Sequence, residues 1–144
     1  MKQMFRILLA ALLLYGGFQC AFAQDAEPSD LVRGGLQAIQ MIDQNKTGEL
    51  WDGATPVARK RVAKNDFVSQ VTKAREPLGA PQQRTWVAIN RQVVAQGDPE
   101  IAGQYVSIEY ETRFANKANA TVRELVTFQL GDDRVWRFSG YVLR

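Results

Sequence analysis

The sequence contains no histidine, and its one cysteine, Cys20, lies close to the amino terminus. Histidine is the commonest general base near neutral pH and the commonest zinc ligand, so its absence excludes most zinc sites and most histidine-dependent mechanisms. Carboxylates alone can hold calcium, but no Asp-x-Asp-x-Asp-Gly loop occurs, and Gly131-Asp132-Asp133 is typical of a turn. We therefore expect no metal site and no other cofactor.

The sequence also has no marked excess of either positive or negative charge. The chain has 18 Lys and Arg against 15 Asp and Glu, a formal net charge of +3. Two of the basic residues, Lys2 and Arg6, lie in an amino-terminal segment that we expect to be removed, which leaves the rest of the chain close to neutral. Nucleic-acid binding requires a marked excess of positive charge on one face, so we expect no nucleic-acid partner.

The amino terminus has the order of a secretory signal peptide. A basic start is followed by the apolar run 7–15 and by Ala21-Phe22-Ala23, a small-x-small cleavage site. The run is shorter than the about 20 apolar residues that a spanning helix needs, so we expect no transmembrane segment in the mature chain. We expect residues 1–23 to be a signal peptide, cleaved near Ala23-Gln24, and residues 24–144 to form a single domain that is periplasmic or secreted from a bacterium. Lipidation of Cys20 is the alternative, although Gln19 is not the small residue usual before a lipid-attachment cysteine.

The first half of the remaining chain has helical spacing. A helix begins at Ser29 as the capping residue, with Asp30 near its positive end, and a short second helix occupies Lys46–Gly53. The Thr55-Pro56 pair starts a third helix and Asn65-Asp66 starts a fourth. The expected apolar positions of the first helix are Leu31, Val32, Leu36, Ile39 and Ile42. Residues Pro77–Pro81 end the helical half.

The second half has the composition of β-strands. Four segments rich in β-branched and aromatic residues are separated by turn-forming clusters, and two of them alternate clearly between apolar and polar residues. The predicted strands are Thr85–Val94, Tyr105–Phe114, Thr121–Leu130 and Val135–Leu143. We predict that Val106, Ile108, Val122, Val126 and Phe128 are buried. Helices followed by strands predict an α+β fold, with helices covering one face of a four-stranded antiparallel meander.

A set of motifs resembles the bacterial domain of unknown function family 4019, whose members are secreted or membrane-attached. The motifs are Trp51-Asp52, Arg75-Glu76-Pro77-Leu78-Gly79, Arg84, Gly103-Gln104-Tyr105-Val106 with Tyr110 and Phe114, Glu124, and Trp136-Arg137-Phe138-Ser139-Gly140-Tyr141. The resemblance covers nearly all of residues 24–144 and implies no established activity. The order of elements is also similar to the nuclear-transport-factor-like and cystatin-like α+β folds.

Glu124 is the unusual residue of the strand half. It is in phase with Val122, Val126 and Phe128, on the expected core face, where a carboxylate must find partners or shift its pKa upward. One interpretation makes it a site carboxylate in the mouth of a curved sheet. The other makes it a structural ion pair with Arg75, Arg84 or Arg91. Either way we predict that Glu124 is buried within hydrogen-bond reach of an arginine or a tyrosine.

Other candidate binding residues also have two interpretations. Arg75, Arg84 and Arg91 form either an anion site or ion pairs with Glu76, Glu109 and Glu111. The aromatic residues Trp86, Tyr105, Trp136 and Tyr141 either line a ligand groove or pack in the core. The basic run Arg59-Lys60-Arg61 with Lys64 either contacts anionic polymer or lipid, or is an exposed helix face.

Three functional hypotheses follow. The first is a periplasmic binding domain whose partner is a protein, a cell-envelope component or a small ligand. The second is a small hydrolase or isomerase that uses Glu124 or Asp43 as a base in a cone-shaped pocket. The third is a structural accessory subunit. A pocket of roughly 300 Å³ or more that holds Glu124 favours a ligand or an enzyme. A filled cone with one exposed aromatic patch favours a protein partner.

Overall fold

A computed structural model describes residues 21–23 and 25–144. It has the predicted α+β class, with helices in the first half and strands in the second. The helices are α1 (Pro28–Asp43), α2 (Thr47–Asp52), α3 (Pro56–Arg61) and α4 (Lys64–Arg75). The strands are β1 (Ala21–Ala23), β2 (Pro81–Val94), β3 (Gly103–Phe114), β4 (Val122–Leu130) and β5 (Val135–Leu143), and short 3₁₀ turns occupy Glu76–Leu78 and Ala115–Lys117.

The strands form one antiparallel sheet in the order β1-β5-β4-β3-β2. The prediction of four strands was wrong by one, because Ala21–Ala23 adds a fifth strand beside β5. In the sequence these residues look like a cleavage site, and three residues are too few to show strand alternation. Phe22 packs edge-on against Phe128, with ring centroids 4.9 Å apart, and stacks on Trp136.

Helix α1 begins earlier than predicted. Pro28 is its first residue, where the fixed φ of proline suits a helix and its missing N–H costs nothing. Asp30 accepts a hydrogen bond from the Glu27 backbone N–H at 3.3 Å, so Glu27, and not Ser29, lies at the cap position. In α3 the predicted start is confirmed, because Thr55 Oγ1 accepts from the backbone N–H of Ala58 at 3.3 Å.

The buried core lies between α1, α2, α4 and one face of the sheet. Two glycines allow α1 to lie close to it. A Cβ on Gly35 would come within 2.5 Å of the Tyr110 hydroxyl, and one on Gly34 within 3.0 Å of Phe22. Because α1 lies this close to the sheet, the Tyr110 hydroxyl can donate a hydrogen bond to the Val32 carbonyl of α1. The glycines that weaken the isolated helix therefore allow the helix and the sheet to pack.

Four of the five predicted core residues are fully buried: Val106, Ile108, Val126 and Phe128. Val122 is only half-buried, which corrects the prediction. It is the first residue of β4 and lies opposite Thr112, near the end of β3. Alternation places a residue on a face but does not show how far along the strand the helices cover that face.

Candidate functional site

Four charged side chains converge inside the protein from four different elements. Asp43 ends α1, Arg75 ends α4, Arg84 lies on β2 and Glu124 lies on β4. The side chain of Glu124 has no exposed surface, both arginines are 11% exposed and Asp43 is 17% exposed. Two carboxylates and two guanidinium groups cancel in formal charge, which is what burial of charge requires. We call these four residues the buried charge cluster.

Arg84 joins the two carboxylates. Its Nε lies 2.7 Å from Glu124 Oε1, and its two terminal nitrogens donate to the two oxygens of Asp43 at 2.9 and 3.2 Å. A planar guanidinium matches a carboxylate in this forked geometry, which a lysine could not reproduce. Burial alone would lower the pKa of Arg84. The hydrogen bonds that Arg84 donates to Asp43 and the negative charge of Glu124 outweigh burial, so the pKa of Arg84 is raised and its side chain stays charged.

Arg75 closes the cluster from the helical side. It donates to Asp43 and to the Tyr141 hydroxyl, the latter at 3.3 Å, and its Nη1 lies 3.6 Å from Glu124 Oε2. Its guanidinium carbon lies 5.0 Å from the centre of the Phe114 ring, within cation–π range. Burial alone would lower the pKa of Arg75, but Tyr141, Asp43 and Glu124 together raise it.

Hydroxyl groups complete the coordination of Glu124. Thr112 donates to Oε1 and Tyr141 donates to Oε2. Burial, reinforced by the negative charge of Glu124, raises the pKa of the Tyr141 phenol well above its usual range. Tyr141 therefore remains a protonated donor. The prediction that Glu124 is buried beside an arginine or a tyrosine is confirmed, and it contacts both.

The cluster is closed in this conformation. Both oxygens of Glu124 are occupied by partners within the chain, and no part of its side chain is open to solvent. A general base must come within hydrogen-bond reach of the proton it removes. In this conformation Glu124 offers a substrate no such approach, and its contacts are those of a buried ion-pair network.

The remaining candidates do not join the cluster. Arg91 lies exposed on β2 and makes no ion pair within the described residues. Tyr105, near the start of β3, donates a hydrogen bond of 2.5 Å to the carbonyl of Ile101 in the preceding loop. Trp136 packs in the core beside Phe22. The structure thus joins Arg75, Arg84, Glu124 and Tyr141 and leaves Arg91, Tyr105 and Trp136 apart from them.

The expected pairing of Glu124 with Arg75 or Arg84 is confirmed, whereas the expected pairs of the arginines with Glu76, Glu109 and Glu111 do not form within the described residues. Arg75 and Arg84 pair with Asp43 and Glu124, whereas Glu109 and Glu111 pair with Arg123. Glu109 also pairs with Arg144. The residue that sequence reasoning missed is Thr112. Its alternation with Tyr110 and Phe114 places it on the core face, which is the signal that could have found it.

The basic run on α3 is exposed and largely paired. Lys60 and Arg61 form ion pairs with Glu100 and Asp98 in the β2–β3 connection, and Lys64 pairs with Asp52. These pairs are consistent with a solvated helix face. Arg59 is the one residue of the basic run that has no ion-pair partner among the described residues.

Strand β2 carries three of the five large apolar side chains that are exposed among the described residues. Trp86 is 49% exposed and Val93 is 71% exposed, and Val87 is also exposed. Only β3 pairs with β2, so the other side of this 14-residue strand carries an unpaired backbone edge in the described sheet. Trp86 and Val93 lie opposite Tyr110 and Gln104, on the face that carries the core.

Among residues 21–23 and 25–144, no helix is long and apolar enough to cross a membrane. The same residues contain no group of three or more acidic, histidine or cysteine side chains placed to hold a metal ion.

A family model described as "Protein of unknown function (DUF4019)" matches residues 35–141. The matched range contains all four members of the buried charge cluster. A search of curated proteins gives no match.

Replacement of Glu124 tests the structural role of the cluster. We expect Glu124→Ala to cost about 3–5 kcal/mol of unfolding free energy, because it leaves two buried arginines with one carboxylate. Glu124→Gln keeps the shape and one acceptor oxygen and should cost less. Glu111→Ala is the matched control, since it removes the acidic partner of a more exposed ion pair and should cost under about 1 kcal/mol. Chemical unfolding measures all three, and an unchanged Glu124→Ala protein would contradict the assignment.

The buried phenols predict instability in alkali. Burial raises the pKa of both Tyr110 and Tyr141 above the ordinary value of 10.0. The folded state thus favours the neutral phenol, so this stabilisation is complete below pH 10.0 and is lost as the pH rises beyond it. Carbon-13 NMR of the tyrosine ζ carbons should show both phenols ionising only as the protein unfolds. Ionisation of either phenol near its ordinary pKa in the folded protein would refute this.

Proposed function

The chain belongs to this family of unknown function, and from that premise we propose that it is a protein-binding module that accepts an extended strand of a partner at the free edge of β2. The observation that carries the proposal is the unpaired 14-residue edge with Trp86 half-exposed beside it. A strand added to a sheet edge gains main-chain hydrogen bonds, and side-chain pockets along the edge give it specificity.

The edge is only partly protected against such pairing. Natural proteins protect edge strands with charged side chains, prolines or bulges. In β2 the only charged residues are Arg84, which turns into the buried charge cluster, and Arg91. Pro81 lies at the very start, and a register shift between Trp86 and Ala88 interrupts the strand. The stretch Ala88–Val94 beyond it is regularly paired with β3 and free on its other side.

Arg91 indicates the chemistry of the partner strand. It is the middle residue of Ala88–Val94, so a second copy that paired antiparallel over this whole stretch would place Arg91 opposite Arg91. Like charges directly opposite each other destabilise a sheet. A different protein with a carboxylate at this position and apolar residues facing Trp86 and Val93 would complement the edge in both charge and hydrophobicity.

The closed core supports a protein partner over an enzymatic role. The space in the curved sheet where a pocket would hold Glu124 is filled by the buried charge cluster and by buried aromatic side chains such as Tyr110 and Phe114. The exposed aromatic surface is instead on β2. A filled interior with an exposed apolar patch is typical of a protein-interaction surface.

Selection from a library of random extended peptides tests the edge. Wild type should enrich peptides with a carboxylate between apolar residues, and Arg91→Glu should shift that position to Lys or Arg. Trp86→Ala should weaken binding of a selected peptide by about tenfold or more, since tryptophans are common binding hot spots. Val142→Ala, on β5 and 52% exposed, is the matched control and should bind normally.

Either of two results would refute the proposal. One is peptide binding that is indifferent to both Trp86 and Arg91. The other is a wild-type dimer that Trp86→Ala dissociates, which would assign the edge to a second copy of the chain.

We also propose that the protein works in the periplasm or is secreted. The support is the order of basic, apolar and small residues over 1–23. Cleavage after Ala23 would remove β1, and Phe22 with it. The intact mass of the protein from a periplasmic fraction should correspond to a chain that begins at or near Gln24. A full-length mass from the cytoplasm would refute secretion, and a lipid adduct on Cys20 would place the protein on the membrane.

A further inference from the structure

A groove of about 910 Å³ lies at one end of the sheet, away from the buried charge cluster. Three connections form it: the α2–α3 loop, the β2–β3 loop and the β4–β5 turn. Binding residues are often carried on loops that a rigid scaffold brings together. The volume is within the range of small-molecule sites.

The wall formed by the β2–β3 loop is fastened to α3. Lys60 Nζ lies 2.9 Å from Glu100 Oε1, and Arg61 Nη2 lies 2.6 Å from Asp98 Oδ2. The Asp98 side chain also accepts from the Glu100 backbone N–H at 2.9 Å. These contacts join the loop to the helix along one wall of the groove.

Gln129 is the observation that points to a ligand in the groove. It lines the groove, is 7% exposed, and its Oε1 is buried without a hydrogen-bond partner among the described residues. Its Nε2 lies 3.4 Å from the Glu100 carbonyl oxygen. A carbonyl can only accept, so the amide nitrogen must face Glu100 and Oε1 must point elsewhere. A buried acceptor without a donor is destabilising, and a donor from a bound molecule would satisfy it.

Two charged side chains on the groove walls without ion-pair partners indicate which chemical groups a ligand of the groove would carry. Arg59 and Asp132 both line the groove, and neither makes an ion pair within the described residues. The other charged lining residues are paired: Lys60 with Glu100, Asp133 with Arg137, and Asp52 with Lys64. The groove therefore offers one free cation, one free anion and one buried acceptor.

We propose that this groove binds a short peptide with free termini. A peptide N–H donates to Gln129 Oε1, the terminal carboxylate pairs with Arg59, and the terminal ammonium pairs with Asp132. None of the residues that line the groove is aromatic, so a sugar ring would find no side chain on which to stack. This site is separate from the β2 edge, and its failure would leave the strand-addition proposal intact.

Titration of the full chain with trialanine, followed by amide NMR shifts, tests the proposal. Binding should saturate, with shifts centred on residues 54–59 and 129–133. Trialanine that is acetylated and amidated should bind the wild-type protein at least about tenfold more weakly than the free peptide. The variants Arg59→Gln and Asp132→Asn should bind the free peptide with a similar loss of affinity. Arg33→Gln, an exposed arginine on α1, is the control and should bind normally.

Gln129→Leu gives a second readout that separates binding from folding. It removes a buried acceptor that has no partner together with the 3.4 Å contact from Nε2 to the Glu100 carbonyl, so the melting temperature should change little while trialanine binding weakens. Absence of saturable trialanine binding, equal binding of the blocked peptide, or unchanged binding by Gln129→Leu would each overturn the proposal. Binding of maltotriose in place of trialanine would assign the groove to a saccharide and also overturn it.

Discussion

The fold depends on the neutralisation of one fully buried carboxylate. Glu124 lies on the core face of β4, and it can stay there because Arg84, Arg75, Thr112 and Tyr141 all approach it. These partners come from three other strands and from the end of α4. The sheet and the helical layer therefore have to meet in one arrangement for the carboxylate to be satisfied, and an alternative packing would leave a charge buried without a partner.

The helix ends explain why the cluster needs two arginines. Asp43 is the last residue of α1, where the negative end of the helix dipole disfavours a carboxylate. Arg84 and Arg75 both bind Asp43 and so offset that cost. Arg75 is itself the last residue of α4, where a cation is favoured. Because this interior is closed, the recognition sites that we propose lie on the surface, at the β2 edge and at the groove beside Gln129.

Local patterns predicted a good part of the fold. The bounds of β5 were correct, as was the start of α3 at Thr55-Pro56, because strand composition and a capping residue before proline act over a few residues. Burial of Glu124 followed from alternation alone. The choice of Asp43 as the shared partner of both arginines could not be predicted, because it depends on how α1 lies across the sheet. Strand β1 was missed because its only distinctive residue, Phe22, lies in a segment that looks like a cleavage site. Gln129 was missed because its unpaired oxygen arises from the position of a loop distant in sequence.

The most direct test of the central claim is a double-mutant cycle on Arg84 and Glu124, with Arg84→Met, Glu124→Gln and the double variant compared by chemical unfolding. If the two side chains stabilise the fold as one neutral unit, the double variant should lose less stability than the two single losses combined. The coupling should be about 0.5–3 kcal/mol. Losses that add to within about 0.5 kcal/mol would show that the two charges act independently, and would contradict the account.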